Sequence, residues 1–268
     1  MVAAPKPRIQ RRNNGRNHWY LIDGKKAPGV TTLIKGGLPK PKLVPWAAKS
    51  VAEYVADHLD EVEAMRPMGR EAIAAALKQK PFTDRDKAAV RGTHVHDLAS
   101  RLIAGEEVEV PDGLAGYVDS YIRFLDEWQP KPVLVETVVG HTQWMYCGTL
   151  DIVVDLPDGR RPIVDIKTSN SGIWPEVVLQ TAGYRYAEFY VDADKTEKPM
   201  AALDIDSALA LWVRSDGYDV YELPADESAF ETFLHVATVA RWAETARDLI
   251  GEACDVPDYS LTSWGNAA

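Results

Sequence analysis

The sequence predicts an α/β fold, with a sheet that begins antiparallel and with helical additions on its N-terminal side. Three observations lead there. Apolar residues recur at helical spacing between about residues 45 and 128. The composition then turns β-branched through PVLVETVVG, WMYCGTLDIVVDL and RPIVDIKTS. A helix-patterned stretch, SGIWPEVVLQTAGYRYAEFY, next separates these strands from two more, SALALWVRS and YDVYEL.

Taken in order, WYLIDGKKAPGVTTLI reads as a short strand, an Asp23-Gly24 turn and a second extended piece, followed by the Gly/Pro-rich connector KGGLPKPKLV. Pro45 suits a first helical residue, and Trp46, Val51, Tyr54, Val55, Leu59 and Val62 carry the helical spacing to about residue 65. An Ala-rich helix is predicted over 69–79. Thr83 reads as the N-cap of a further helix that stops at Gly105, and another helix covers about 113–128. After the five strands and their intervening helix, a final helix runs from about 226 to 250. The domain reading is a basic N-terminus over 1–16, one domain over 17–251, and a tail over 252–268. Within the domain, helical additions occupy about 45–129, the core about 131–224 and the C-terminal helix about 226–250.

At 268 residues, with 46% hydrophobic and 26% charged residues, the composition is that of a globular protein. No run of about 18 apolar residues occurs, and no apolar stretch follows the basic N-terminus, so the expectation is a cytoplasmic protein with no membrane partner. Two cysteines, Cys147 and Cys254, are too few for a four-thiolate zinc site or an iron–sulfur cluster. Any metal must therefore be held by oxygen and imidazole. The net charge of −10 is unevenly spread: residues 1–43 hold ten Lys or Arg against one acid, and residues 192–268 hold sixteen acids against five bases. A basic surface on an acidic body is compatible with a phosphate-bearing partner.

The stretch GTLDIVVDLPDGRRPIVDIKTS, residues 148–169, carries the chemistry. Pro157 and Asp158 fit the central positions of a type I turn and Gly159 the left-handed position closing a three-residue loop. In that register Asp151 lies opposite Asp165. Side-chain alternation puts Asp165 and Lys167 on one face, with Val164 and Ile166 pointing the other way into the core. Opposed strand residues have Cβ atoms about 5 Å apart, where two carboxylates repel by about 3 kcal/mol at an effective dielectric of 20. Lys167 offsets part of that repulsion, and a divalent cation would offset more while using the free lone pairs. A two- or four-residue loop would reverse the parity and separate the charges.

Five motifs in order resemble the PD-(D/E)XK nuclease superfamily, in particular its RecB-type and phage exonuclease branch. They are Gly92-Thr93-His94-Val95-His96, Glu136 on the first core strand, Gly148 to Asp151, Asp165-Ile166-Lys167, and Gln180 to Tyr184. The resemblance spans about 92–186. It implies a restriction-endonuclease-like core, that is, a mixed sheet with an antiparallel hairpin and flanking helices. It implies metal ligation by His96, Asp151, Asp165 and the carbonyl of Ile166, with magnesium as the ion and manganese as a substitute. Lys167 would orient or deprotonate the attacking water, and Glu136 would be a third carboxylate. Gln180, Tyr184, Thr168 and Arg91 would contact DNA or support the site. Ser100 departs from the family pattern, which often has an acid there, and is left unassigned. The lack of four cysteines sets the chain apart from iron–sulfur members.

The implied function is a metal-dependent DNA exonuclease, phage-encoded and at work in the host cytoplasm in recombination or replication. DNA is the expected partner, with a phage recombinase or single-strand annealing protein as a further one, and the oligomeric state is left open. The alternatives are an endonuclease of the same superfamily and a non-catalytic DNA-binding or assembly protein on the same fold. GKKAPGVTT lacks the order of a phosphate-binding P-loop, and no G-x-S-x-G elbow occurs.

Overall fold

A computed structural model describes residues 7–14 and 17–254 of the chain. Strands β1 (Ile9–Asn14), β2 (Asn17–Ile22) and β3 (Lys25–Ala27) form a small antiparallel sheet. Helices α1 (Val30–Gly37), α2 (Leu43–Asp57), α3 (Leu59–Ala64), α4 (Arg70–Ile103) and α5 (Ala115–Trp128) follow. Then come β4 (Lys131–His141), β5 (Tyr146–Asp155), β6 (Pro162–Lys167), α6 (Glu176–Arg185), β7 (Phe189–Val191), β8 (Glu197–Pro199), β9 (Ser207–Arg214), β10 (Gly217–Glu222) and α7 (Glu227–Thr245). The seven later strands make one mixed sheet in the order β10-β9-β6-β5-β4-β7-β8, in which β6 and β9 run parallel and the other neighbours antiparallel.

Helices cover this sheet on both sides. Val153 and Ile163 pack in one cluster with Val30 and Ile34 of α1, Ala182 of α6 and Phe233 of α7. Ile152, Val164 and Ile166 pack in another with Val95 and Leu98 of α4 and Tyr121 of α5. Val164 and Ile166 thus point into core as expected, but the face bearing Asp165 is also core over most of its extent. Near-continuous burial along β6 follows from its place in the sheet interior beside a parallel neighbour. No helix among the described residues is long and apolar enough to cross a membrane.

The hairpin turn forms as its residues dictate. Gly159 has φ +92°, its N–H donates to the Leu156 carbonyl at 3.0 Å, and Leu156 N–H donates to the Arg160 carbonyl at 2.9 Å. The register follows: Ile152 pairs with Val164 and Val153 with Ile163.

Several elements differ from the sequence reading. VTTLI is helical, as α1, because Val30, Leu33 and Ile34 fall on one buried helix face, and their burial outweighs β-branched preference. Two predicted helices are the single 34-residue α4, which runs through Pro81. Thr83 is therefore no N-cap, and its hydroxyl donates to the Gln79 carbonyl at 3.1 Å. Pro81 is buried and α2 packs along α4, so tertiary contact offsets the missing N–H. Pro45 stands third in α2, still within the first turn, where an N–H has no helical partner. The periodic residues of α2 and α3 are not core: Val51, Tyr54, Val55 and Val62 are half-buried, while Trp46 and Leu59 are exposed. Within the basic N-terminus, residues 9–14 are a strand, held by Ile9 packing with Tyr20 and Phe189. α7 ends at Thr245 and continues as a short 3-10 turn over Ala246–Leu249. Of the predicted tail, 255–268 lie outside the described residues.

Candidate functional site

Strands β5 and β6 part at the charged end of the hairpin. Their backbone pairing stops at Ile152–Val164, one step short of Asp151–Asp165. Beyond it β5 stays with β4 through Leu150–Thr137, and β6 stays with β9 through Asp165–Ala210 and Lys167–Trp212. The Ile166 N–H donates to Asp151 Oδ2 at 2.7 Å, a side chain taking over from the ladder.

Two linked groups of polar side chains occupy this fork. In the first, His96 Nδ1 from α4 stands 3.4 Å from Asp151 Oδ1, and ligand atoms of His96, Glu136 and Asp151 lie within 4.8 Å of one another. Glu136 falls opposite Asp151, because Val135 pairs with Ile152 and Thr137 with Leu150. Its φ of +44° is a left-handed backbone inside a strand, a strained conformation for a residue with a side chain. In the second group, Lys167 Nζ lies 2.5 Å from Asp165 Oδ2, Gln180 Nε2 donates to Asp165 Oδ1 at 2.8 Å, and Lys167 Nζ donates to Gln180 Oε1 at 3.3 Å. Asp165 Oδ2 is buried, and its neighbour in the fork is the Lys167 ammonium.

The acids and bases perturb one another. Burial raises the Asp165 carboxyl to about 6, against the pull of Lys167. Asp151 is lowered in spite of burial, by His96, Lys167 and the Ile166 N–H. Burial would lower His96, yet the Asp151 carboxylate outweighs it and raises the imidazole to about 9. Glu136 keeps solvent-exposed surface, but its carboxyl is crowded by protein and then by Asp151, which together raise it to about 7. Lys167 is raised, since Asp165 and Asp151 outweigh its desolvation. Three carboxyl groups face two cations, His96 and Lys167, and the ligand atoms of His96, Glu136 and Asp151 converge on one point. Both fit a hard divalent cation held by oxygen and imidazole.

The small residues of the motifs are packing requirements. A Cβ on Gly148 would meet Tyr184 Cε1 at 2.4 Å, so the Tyr184 ring lies flush on β5. The ring is buried, and Tyr184 OH accepts from Gln180 Nε2 at 3.4 Å. On α4, a Cβ at Gly92 would stand 3.1 Å from the buried Thr168 Oγ1, which seats the helix against the end of β6.

No protein-family model matches the chain. No curated protein matches it. Fourteen chains of solved structure are similar. One, "Crystal structure of SSO0001", is 13% identical with a TM-score of 0.27, over 83% of this chain and 75% of that one.

The structure groups the sequence-selected residues differently from the expected ligand set. His96 and Asp151 come together, but with Glu136 rather than Asp165, which stands outside that trio and engages Lys167 and Gln180. Ile166 presents its N–H to Asp151. His94, two residues from His96, is exposed on another face of α4. Arg91 does not touch the carboxylates: it donates to Asn170 Oδ1 at 3.1 Å and lies 5.5 Å over the Tyr117 ring, tying α4 to the segment after β6. One neighbour escaped the sequence reading. Arg11 of β1 donates to Thr149 Oγ1 at 3.4 Å, two residues before Asp151, and favours the ionised form of Glu136. Tyr20 OH also meets Thr149 Oγ1, at 2.9 Å. No local pattern marks Arg11 among the many basic residues of the N-terminus.

Proposed function

We propose that the chain is a magnesium-dependent deoxyribonuclease of the PD-(D/E)XK type, with a restriction-endonuclease-like core, that degrades linear DNA from an end. The observation that carries this reading is the fork itself. Asp165 and Lys167 sit side by side on β6, and Asp151, His96 and Glu136 gather across the gap. His96, Asp151 and Glu136 would hold the ion, with Asp165 beside them paired to Lys167. Magnesium bound there would neutralise charge on a phosphodiester and increase the acidity of water. Lys167, protonated beside Asp165, places an ammonium where a water molecule and a phosphoryl oxygen can both take hydrogen bonds. Gln180 fixes Lys167 and Asp165 relative to each other, and Tyr184 fixes Gln180. Service to a phage recombinase or single-strand annealing protein belongs to the same proposal.

End-labelled linear DNA, blocked at one end type at a time, tests the activity. Loss of label in magnesium, none with chelator and little attack on covalently closed circles are the expected results. Cutting of closed circles would favour the endonuclease alternative, and no cutting under any divalent ion would refute the enzyme.

The ion must displace the His96 proton, which is held up to about pH 9. Magnesium or manganese affinity is therefore expected to rise about tenfold per pH unit between roughly 7 and 8.5, as each ion releases one proton. Calorimetry in buffers of different ionisation enthalpy measures that release. A His96→Asn protein should bind more weakly with a much flatter pH dependence, and a wild-type profile flat in pH would remove His96 from the ligand set.

A further inference from the structure

Most arginines on this surface face a carboxylate. Arg8 meets Glu197, Arg101 meets Glu106, Arg161 meets Asp155, and Arg214 meets Asp216 and Asp219. Arg11, Lys26, Lys35 and Lys42 differ, since among the described residues none has a carboxylate oxygen within 4.0 Å. On a chain of net charge −10, Lys35 borders one cavity that also reaches Lys167 and Gln180, Lys42 lies near Trp174 of that cavity, and Lys26 borders a second cavity.

The first cavity, about 230 Å³, is bordered by Lys167 and Gln180 on the site side and by Lys35, Ser169 and Trp174 opposite. Trp174 is 43% exposed, its Nε1–H donates to Ser171 Oγ at 3.0 Å, and Lys42 Nζ lies 5.7 Å from its ring centre. Lys40 also borders this cavity, paired at 3.6 Å with Glu176, its one acid. The second cavity, about 560 Å³, is bordered by Trp19, His18, Lys26 and Arg241, with Glu244 as its one acid. Thr31, near the start of α1, borders both cavities.

Each cavity therefore offers an accessible indole beside unpaired positive charge. That pairing suits a polymer with alternating flat apolar faces and phosphates, provided the faces are not already stacked in a duplex. We infer that the two cavities are successive subsites for an unpaired DNA strand, which passes Lys167 with bases against Trp174 and Trp19 and phosphates against Lys35, Lys42 and Lys26. The inference rests on the nuclease reading for its substrate, and it adds that the substrate reaches the fork single-stranded or frayed.

Binding can be read without cleavage, in chelator, from the anisotropy of a labelled oligothymidylate of about 15 nucleotides and of a blunt duplex of equal length. The oligothymidylate is expected to bind more tightly than the duplex. Trp174→Ala and Trp19→Ala should each weaken it about 5- to 100-fold, and Trp174→Phe should retain most of the affinity. Lys35→Ala should lower the salt dependence by about one phosphate contact. Duplex binding at equal or greater strength, or wild-type affinity in both tryptophan-to-alanine variants, would overturn the track. Magnesium-dependent degradation that is unchanged in those variants would overturn it while leaving the nuclease reading intact. Tryptophan-dependent oligothymidylate binding with no cleavage under any divalent ion would uphold the track and refute the nuclease.

Discussion

A Lys167→Ala protein is expected to degrade linear DNA at least about 1,000-fold more slowly than the unaltered chain, while keeping its circular dichroism spectrum and melting within a few degrees of it. Lys167 touches both Asp165 and Gln180, yet 29% of its side chain is exposed toward the cavity from which a phosphodiester would approach. Because Asp165 and Asp151 hold its pKa above the ordinary lysine value, it is an ammonium at neutral pH. An ammonium has no lone pair to accept a proton. Of the two roles the motif resemblance allows, orienting water with charge stabilisation fits this lysine better than general base catalysis. The stability cost is limited by Asp165. Its carboxyl is already raised to about 6, and without its counter-ion it rises further and takes up a proton near pH 7 in place of a buried unpaired charge. Asp165→Ala should lose activity to a similar degree, and the double variant little more, since residues that act as a unit are not additive. Undiminished magnesium-dependent degradation by Lys167→Ala would exclude the role assigned to this residue.

The parts of the fork that could be read in advance are those fixed by local rules. The PDG loop length determines strand register, seen in the Ile152–Val164 and Val153–Ile163 pairs, and extending that register set Asp151 opposite Asp165. What register could not show is that the strands separate one residue beyond Ile152 and Val164. Each leaves with its other partner, and neither β4 nor β9 is implied by the hairpin alone. That separation is why Asp151 bonds to the Ile166 N–H and regroups with Glu136 and His96. The left-handed backbone at Glu136 has no sequence signal, because glutamate has no preference for it. The choice of His96 over His94 came from motif context, and helix geometry agrees with it, since residues two apart on a helix point to different faces. Arg11 and Lys35 reach the site's surroundings through packing between segments far apart in the chain. In α1, β-branched Val30 and Thr31 favoured a strand until burial of Val30, Leu33 and Ile34 against α7 outweighed local preference.

Gly148→Ala is expected to destabilise the protein by about 1–3 kcal/mol, although it adds a single methyl group. The new Cβ would stand 2.4 Å from Tyr184 Cε1, closer than non-bonded carbons can approach, so ring or strand must move. Neither moves easily. Gly148 is held in the β4–β5 ladder opposite Val139, and Tyr184 is 5% exposed on a helix packed against that sheet. Urea denaturation should show a lower midpoint at unchanged slope, and a thermal scan a fall of several degrees. The consequence extends to chemistry, because Tyr184 OH meets Gln180 Nε2, and Gln180 contacts both Asp165 and Lys167. A displaced ring therefore misplaces the pair on β6, and DNA degradation should fall more than stability alone accounts for at a temperature where the variant is folded. A Tyr184→Ala background separates the causes. Removing the ring is itself costly, by about 3–5 kcal/mol, but it removes the obstacle, so Gly148→Ala should then add little. If the glycine substitution cost as much without the ring as with it, contact with Tyr184 would not be the reason for glycine at position 148.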